Sequence, residues 1–286
     1  MSNRGDDFYA NAEKALKKFR VFDKSGKYSE AGDLFMKAGN AYKSVRNFER
    51  AGDAYTRAAD CFQALNSLNE AASAAAESGK MFAKNPETTS KAIEAFRFAS
   101  QIYRENSKAT NAARLLVDAA KLFQDNGDLD SAIDTLTDAA QLYDDENQPI
   151  QAATQLAMIA DLQSMKKDWL KAANSYKDVA ERRMGDRLTQ LAAGEYFTKA
   201  IACQMAGDDA VGAEKMLRDF VNLNPGWERT RECAMLQATL KAIDERDVEA
   251  FQNALAEYDQ FKKLDNWMVT TFTEVKKLLE GEDDIC

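Results

Sequence analysis

Lys43, Arg46, Lys108, Arg114 and Lys199 are basic side chains in a chain of 286 residues whose net charge is −9. Cations repeated in an acidic protein suit electrostatic docking of an acidic helical partner rather than bond making. The plainer alternative is local charge balance, with Arg50 and Arg57 offsetting Glu49 and Asp53 through i,i+4 pairs. Catalytic chemistry finds little footing. The absence of histidine removes the commonest general base, every Ser-His triad and the usual nitrogen ligand of zinc. Neither a phosphate-binding loop nor a dinucleotide-binding glycine motif is present. Carboxylates are plentiful, but acid pairs on amphipathic helices are mostly solvated faces. Cys61, Cys203, Cys233 and Cys286 have neither metal nor redox spacing. The first three lie in apolar helical patterns, as buried free thiols in a reducing cytosol would, and a prenylation box needs three residues after its cysteine, which Cys286 lacks. The expectation is a non-enzyme with no metal and no cofactor.

Two further stretches carry charge. Glu280, Glu282, Asp283 and Asp284, followed by Ile285 and Cys286, form an acidic tail with an apolar group near its end. It reads either as a solvated tail or as a docking tag for a basic partner. Near the N-terminus, Phe19 and Phe22, both before Gly26, sit among Lys17, Lys18, Arg20, Lys24 and Lys27. That mixture suits a loop dipping into an anionic bilayer surface, or two rings packing on the first repeat.

The elements that must hold these groups announce themselves by a beat. Alanines at 31, 51, 71, 92, 112, 132, 152 and 172 are spaced by twenty residues, except for twenty-one between 71 and 92. Eleven residues after the first six stand Tyr42, Phe62, Phe82, Tyr103, Phe123 and Tyr143; eight after every one stands a small residue, such as Gly39, Ala59, Gly79 or Ser100. Offsets of 4, 7, 8 and 11 return a side chain to one helix face. Each unit therefore carries a stripe, large at its ends and small between, that only a neighbouring unit can bury. Asn47, Asn66, Asn106, Asn126 with Gly127, and Asn147 punctuate the stripes as helix ends, being residues that tolerate the left-handed conformation that closes a helix, and Pro86 and Pro149 fall in the gaps. Each period holds roughly fourteen or fifteen helical residues and a short turn, so successive helices run antiparallel.

The predicted fold is all-α: a tetratricopeptide-like layer of helical hairpins, a right-handed or twisted solenoid, capped by a C-terminal helical bundle. The beat fails at Met184, Gly185 and Asp186, which divides the chain into 1–185 and 186–286. The cap contains helices near 228–244, 247–263 and 267–280. No apolar run reaches the roughly eighteen residues a membrane span needs, and the acidic balance argues against nucleic acid.

The last third carries more specific patterns: Met184-Gly185-Asp186-Arg187-Leu188, Glu195-Tyr196-Phe197-Thr198-Lys199-Ala200, Arg231-Glu232-Cys233, and Tyr258-Asp259 followed by Leu264-Asp265-Asn266-Trp267. With the repeats they give a chain that resembles the soluble NSF attachment proteins, most closely the alpha type, over nearly its whole length. The resemblance implies a cytoplasmic adaptor, peripherally associated with membranes. Several copies bind a SNARE four-helix bundle and recruit a hexameric NSF-type AAA ATPase for its disassembly. By position it assigns SNARE binding to Lys43, Arg46, Lys108, Arg114 and Lys199, with Thr154 and Met158 where the family has lysines. It assigns ATPase binding to Asp244, Glu245, Glu280, Glu282, Asp283, Asp284 and Ile285, and membrane contact to Phe19 and Phe22. Ile285 and Cys286 replace the family's terminal leucine pair. The alternative is a generic helical-repeat scaffold that grips peptides, as a chaperone adaptor does.

Overall fold

The computed structural model describes residues 4–17, 24–185 and 189–281. Among them the chain forms fourteen α-helices: α1 (Arg4–Lys17), α2 (Lys24–Ser44), α3 (Phe48–Ala64), α4 (Leu68–Phe82), α5 (Thr89–Glu105), α6 (Ala109–Asp125), α7 (Leu129–Asp145), α8 (Pro149–Met165), α9 (Trp169–Met184), α10 (Gln190–Ala206), α11 (Ala210–Leu223), α12 (Arg231–Asp244), α13 (Val248–Phe261) and α14 (Asn266–Glu280). The eight marker alanines are all fully buried, as are most residues seven positions later. The stripe is the core.

Most helices of the beat are longer than it suggested, five of the eight having 17 residues, because the turns are very short. After α3, the N–H of Ser67 donates to the carbonyl of Phe62 and that of Asn66 to Gln63. This is a Schellman closure with the left-handed residue at Asn66 (φ 57°). Ser67 is at once the closing residue of α3 and the N-cap of α4. The same turn recurs with Arg46, Ser107, Gly127, Asn147 and Lys167 in the left-handed position. The repeating aromatics Tyr42, Phe62, Tyr103, Phe123 and Tyr143 supply the carbonyl that accepts the outer hydrogen bond. Asn47 therefore does not take the left-handed place expected for it. Its side chain caps α3 by accepting from the N–H of Arg50. The twenty-one-residue interval is absorbed by a 3-10 turn, Pro86–Thr88, where Thr88 Oγ1 donates to the Phe82 carbonyl at 2.6 Å.

Two compact units result, 1–148 and 149–286. In the first, α1 to α7 zigzag between two layers, odd-numbered helices in one and even-numbered in the other. In the second, Trp169 and Tyr176 of α9 share a core with Phe197, Phe220, Trp227, Phe251 and Phe272. The division expected at 185/186 from the loss of the beat thus differs from the compact units, which separate one hairpin earlier. The last two stripes pack into the cluster of large rings that follows them. The three predicted cap helices are α12, α13 and α14, with Trp227–Arg229 forming a separate 3-10 turn before α12.

Candidate protein-docking site

In the first unit, four of the basic residues lie on the even layer or its turns. Lys43 lies in the last turn of α2, and its Nζ lies 3.0 Å from Glu77 Oε2 on α4. Glu77 also meets Lys80 at 2.8 Å. Burial alone would push the Glu77 carboxyl up, but the two ammonium groups outweigh it and hold it below its ordinary value. Arg46 occupies the left-handed position of the α2–α3 turn and is exposed. Lys108 is the N-cap of α6, and its Nζ donates to Asn69 Oδ1 of α4 at 2.6 Å. Arg114 is exposed on α6.

Because successive helices are antiparallel, the α2–α3 turn and the α5–α6 turn stand at opposite ends of the layer. The four cations are therefore spread across its width, about 25 Å for a 17-residue helix, rather than gathered in one pocket. The opposite layer spends three of its basic groups on cross-helix ion pairs: Arg50 with Asp6, Arg57 with Glu13 at 2.8 Å, and Lys91 with Glu49 and Asp53 at 3.5 and 3.8 Å. Charge balance for Arg50 and Arg57 thus runs between helices, not along α3 as i,i+4 spacing suggested.

Lys199 lies in the second unit, on α10. Its side chain is only 17% exposed and its Nζ is 3.3 Å from Asp161 of α8 and 3.7 Å from Glu195. The ammonium also sits 5.3 Å from the ring centres of both Tyr176 and Trp267. Tyr176 donates to Asp161, and burial pushes its hydroxyl well up. Trp267 Nε1 donates to Ser164 at 3.0 Å. Lys199 therefore ties α8, α9, α10 and α14 together. No sequence signal marks this, because its partners stand up to dozens of residues away. Helix α8 itself has no basic residue; Thr154 bonds back to the Ile150 carbonyl, and Met158 is half-buried.

The acidic candidates lie in the second unit. Asp244 and Glu245 are exposed at the end of α12, with Lys241 3.7 Å from Glu245. Asp247 beside them caps α13 through the Ala250 N–H. Glu232 at the start of α12 accepts from Tyr258 and Lys262 near the end of α13, which makes these helices antiparallel. Glu280 pairs with Lys276 at 3.3 Å at the end of α14. Glu282, Asp283, Asp284 and Ile285 lie outside the described residues, as do Phe19 and Phe22. Among the described residues no group of histidine, cysteine, aspartate or glutamate could hold a metal. Cys61, Cys203 and Cys233 are buried free thiols, and burial pushes Cys61 up to about 11.

Comparison with known proteins gives a match to the family described as soluble NSF attachment protein, SNAP, over residues 3–280. The alpha-soluble NSF attachment protein of Saccharomyces cerevisiae is 30% identical over 125 residues, covering 44% of this chain and 43% of that one. Vesicular-fusion protein SEC17 of Komagataella phaffii is 34% identical over 119 residues, covering 42% and 40%. The human alpha-soluble NSF attachment protein is 27% identical over 126 residues, covering 44% and 42%. In each case the similar stretch spans less than half of the relative's length. Among solved structures, a Pyrococcus horikoshii signal-transduction ATPase with a tetratricopeptide repeat sensor is 15% identical, with TM-score 0.48, covering 96% of this chain and 44% of that one.

Proposed function

The chain belongs to the soluble NSF attachment protein family, and on that premise we propose that it is an adaptor for SNARE disassembly in vesicle fusion. Its first unit grips an assembled SNARE four-helix bundle, and its second recruits and stimulates an NSF-type AAA ATPase. The adaptor makes and breaks no bonds itself; the ATPase supplies the work. The observation that carries this reading is the family match over residues 3–280. The placement of Lys43, Arg46, Lys108 and Arg114 supports it, since a layer with cations spread across its width suits an acidic rod better than a short peptide. Lys199 lies in the second unit and shares its charge with Asp161, so it offers an acidic partner less than an exposed cation does.

Asp244, Glu245 and Glu280, continued by Glu282, Asp283, Asp284 and Ile285, form the ATPase-facing set in this reading. Phe19 and Phe22 touch the bilayer. In this reading association with the membrane is peripheral, from the cytoplasm, with several copies on one bundle; no described helix is long and apolar enough to cross a membrane.

The test is ATP-dependent disassembly of a SNARE bundle by the ATPase with and without this chain. Disassembly at the same rate in its absence would end the proposal. The double reversal Lys108→Glu with Arg114→Glu should weaken bundle binding about tenfold, by exchanging attraction for like-charge repulsion. Unchanged binding would remove the even layer as the docking face.

A further inference from the structure

The odd layer of the first unit carries a groove of about 390 Å³ between α3 and α5, floored by α4. Its floor and walls are apolar where Phe82, Phe98 and Ala75 meet. Its rim carries Asp53, Asp60 and Glu94 against a single cation, Lys91. Lys91 is already committed: its ammonium bridges Glu49 and Asp53 and lies 5.2 Å from the ring centre of Phe82. That leaves Asp60 and Glu94, which have no ion pair among the described residues. Asp60 feels the cost directly. Burial pushes its carboxyl up, and the neighbouring Arg57, spent on Glu13, offsets this only in part.

From this arrangement we propose that the α3–α5 groove is a second docking site, taking a basic amphipathic segment of a partner protein. A lysine or arginine of that segment sits between Asp60 and Glu94, and its apolar neighbours rest on Phe82 and Phe98. The geometry fits one or two such anchors. Asp53 and Asp60 are seven residues apart on one face of α3, a rise of about 10 Å. A cation brought here pairs with two carboxylates that lack an ion pair among the described residues, and its aliphatic stem covers the apolar floor. The charge of the rim repels an anionic bilayer or an acidic rod. The two layers of the first unit are therefore complementary to partners of opposite sign, and this site stands or falls independently of the SNARE-facing one.

The experiment uses the full chain and two labelled helical peptides of equal length and leucine content, one bearing lysine and arginine and the other glutamate, with binding read by fluorescence anisotropy. The basic peptide should bind and the acidic one should not. Asp60→Asn with Glu94→Gln should weaken binding about tenfold, while the equal-charge control Asp134→Asn with Asp138→Asn on α7 leaves it within about twofold. Phe98→Ala should weaken it further. Equal losses in both double variants would reduce the effect to the chain's net charge and overturn the site, as would wild-type binding by the groove variant. Self-association that the groove variant abolishes, with no peptide binding, would replace the basic partner by a second copy and would overturn the proposal equally.

Discussion

In the first unit a ring from one helix lies on a glycine of its neighbour: Tyr55 on Gly39, Phe62 on Gly32, Phe82 on Gly52 and Phe96 on Gly79. In the second unit rings meet rings. Phe197 stacks on Phe220 with centres 4.2 Å apart and meets Trp227 edge-on at 5.2 Å, Tyr176 meets Trp267 at 5.8 Å, and Phe251 meets Phe272 at 6.3 Å. Ring-on-glycine contacts repeat with the beat, so each joins two successive helices and its loss is felt locally. The aromatic cluster gathers α9, α10, α11, α12, α13 and α14 around one centre, so one ring serves many helices. A periodic sequence thus builds a surface from interchangeable joints, and the aperiodic sequence builds a body around a single one.

The sharpest way to break this contrast is Phe197→Ala. The ring is fully buried, and its loss should cost about 3–5 kcal/mol by denaturant unfolding. The transition of the second unit should move while that of the first stays in place. A loss confined below about 1 kcal/mol would deny the cluster its central role. Next comes Gly79→Ala, whose added Cβ would fall 2.7 Å from the ring of Phe96. Overpacking there should cost about 1–3 kcal/mol, and Phe96→Leu in the same chain should restore part of it. If Gly79→Ala proved as stable as the parent, the close approach of ring to glycine would not be what sets the helix spacing.

The smallest effect tests what the two units share. Glu77 joins α2 to α4 in the first, and Glu232 joins α12 to α13 in the second. In both, burial raises the carboxyl but is outweighed, by Lys80 and Lys43 at Glu77 and by Lys262 and Tyr258 at Glu232. Each folded value lies below the ordinary value for a glutamate carboxyl. Each carboxylate therefore contributes stability that is fully present above that ordinary value and is lost as pH falls through the depressed one. Glu77→Gln and Glu232→Gln should each flatten the acid limb of stability, by less than about 1 kcal/mol given their partly exposed partners. A limb as steep as the parent's in both variants would exclude these pairs as contributors.

Much of the fold was legible because the stripe is local. Eight alanines at fixed spacing already specify one buried face per helix, and Gly39 and Gly79 already stand among the small residues of that face. The turns were legible to within one residue. Asparagine was read as the left-handed residue, whereas at 46, 107 and 167 an arginine, a serine and a lysine take that conformation. Two Schellman hydrogen bonds per turn outweigh the preference of the side chain. The site was less legible. Lys43 and Glu77 are 34 residues apart, and Lys108 and Asn69 are 39 apart, so no local spacing pairs them. Lys199 looked like another surface cation until the fold brought Asp161 and Trp267 to it.

The 3-10 turn at Pro86–Thr88, between two helices of the beat, has a consequence for how such a chain can change over time. Everywhere else along the beat, the residue that closes one helix also opens the next, so no connector holds spare length. One residue added within such a helix would swing everything beyond it by about 100°, carrying its buried alanines out to water. The stretch between α4 and α5 has already accepted one extra residue without disturbing Ala92, which remains fully buried. It is the expansion joint of the array, and the place where related chains can differ in length without losing phase.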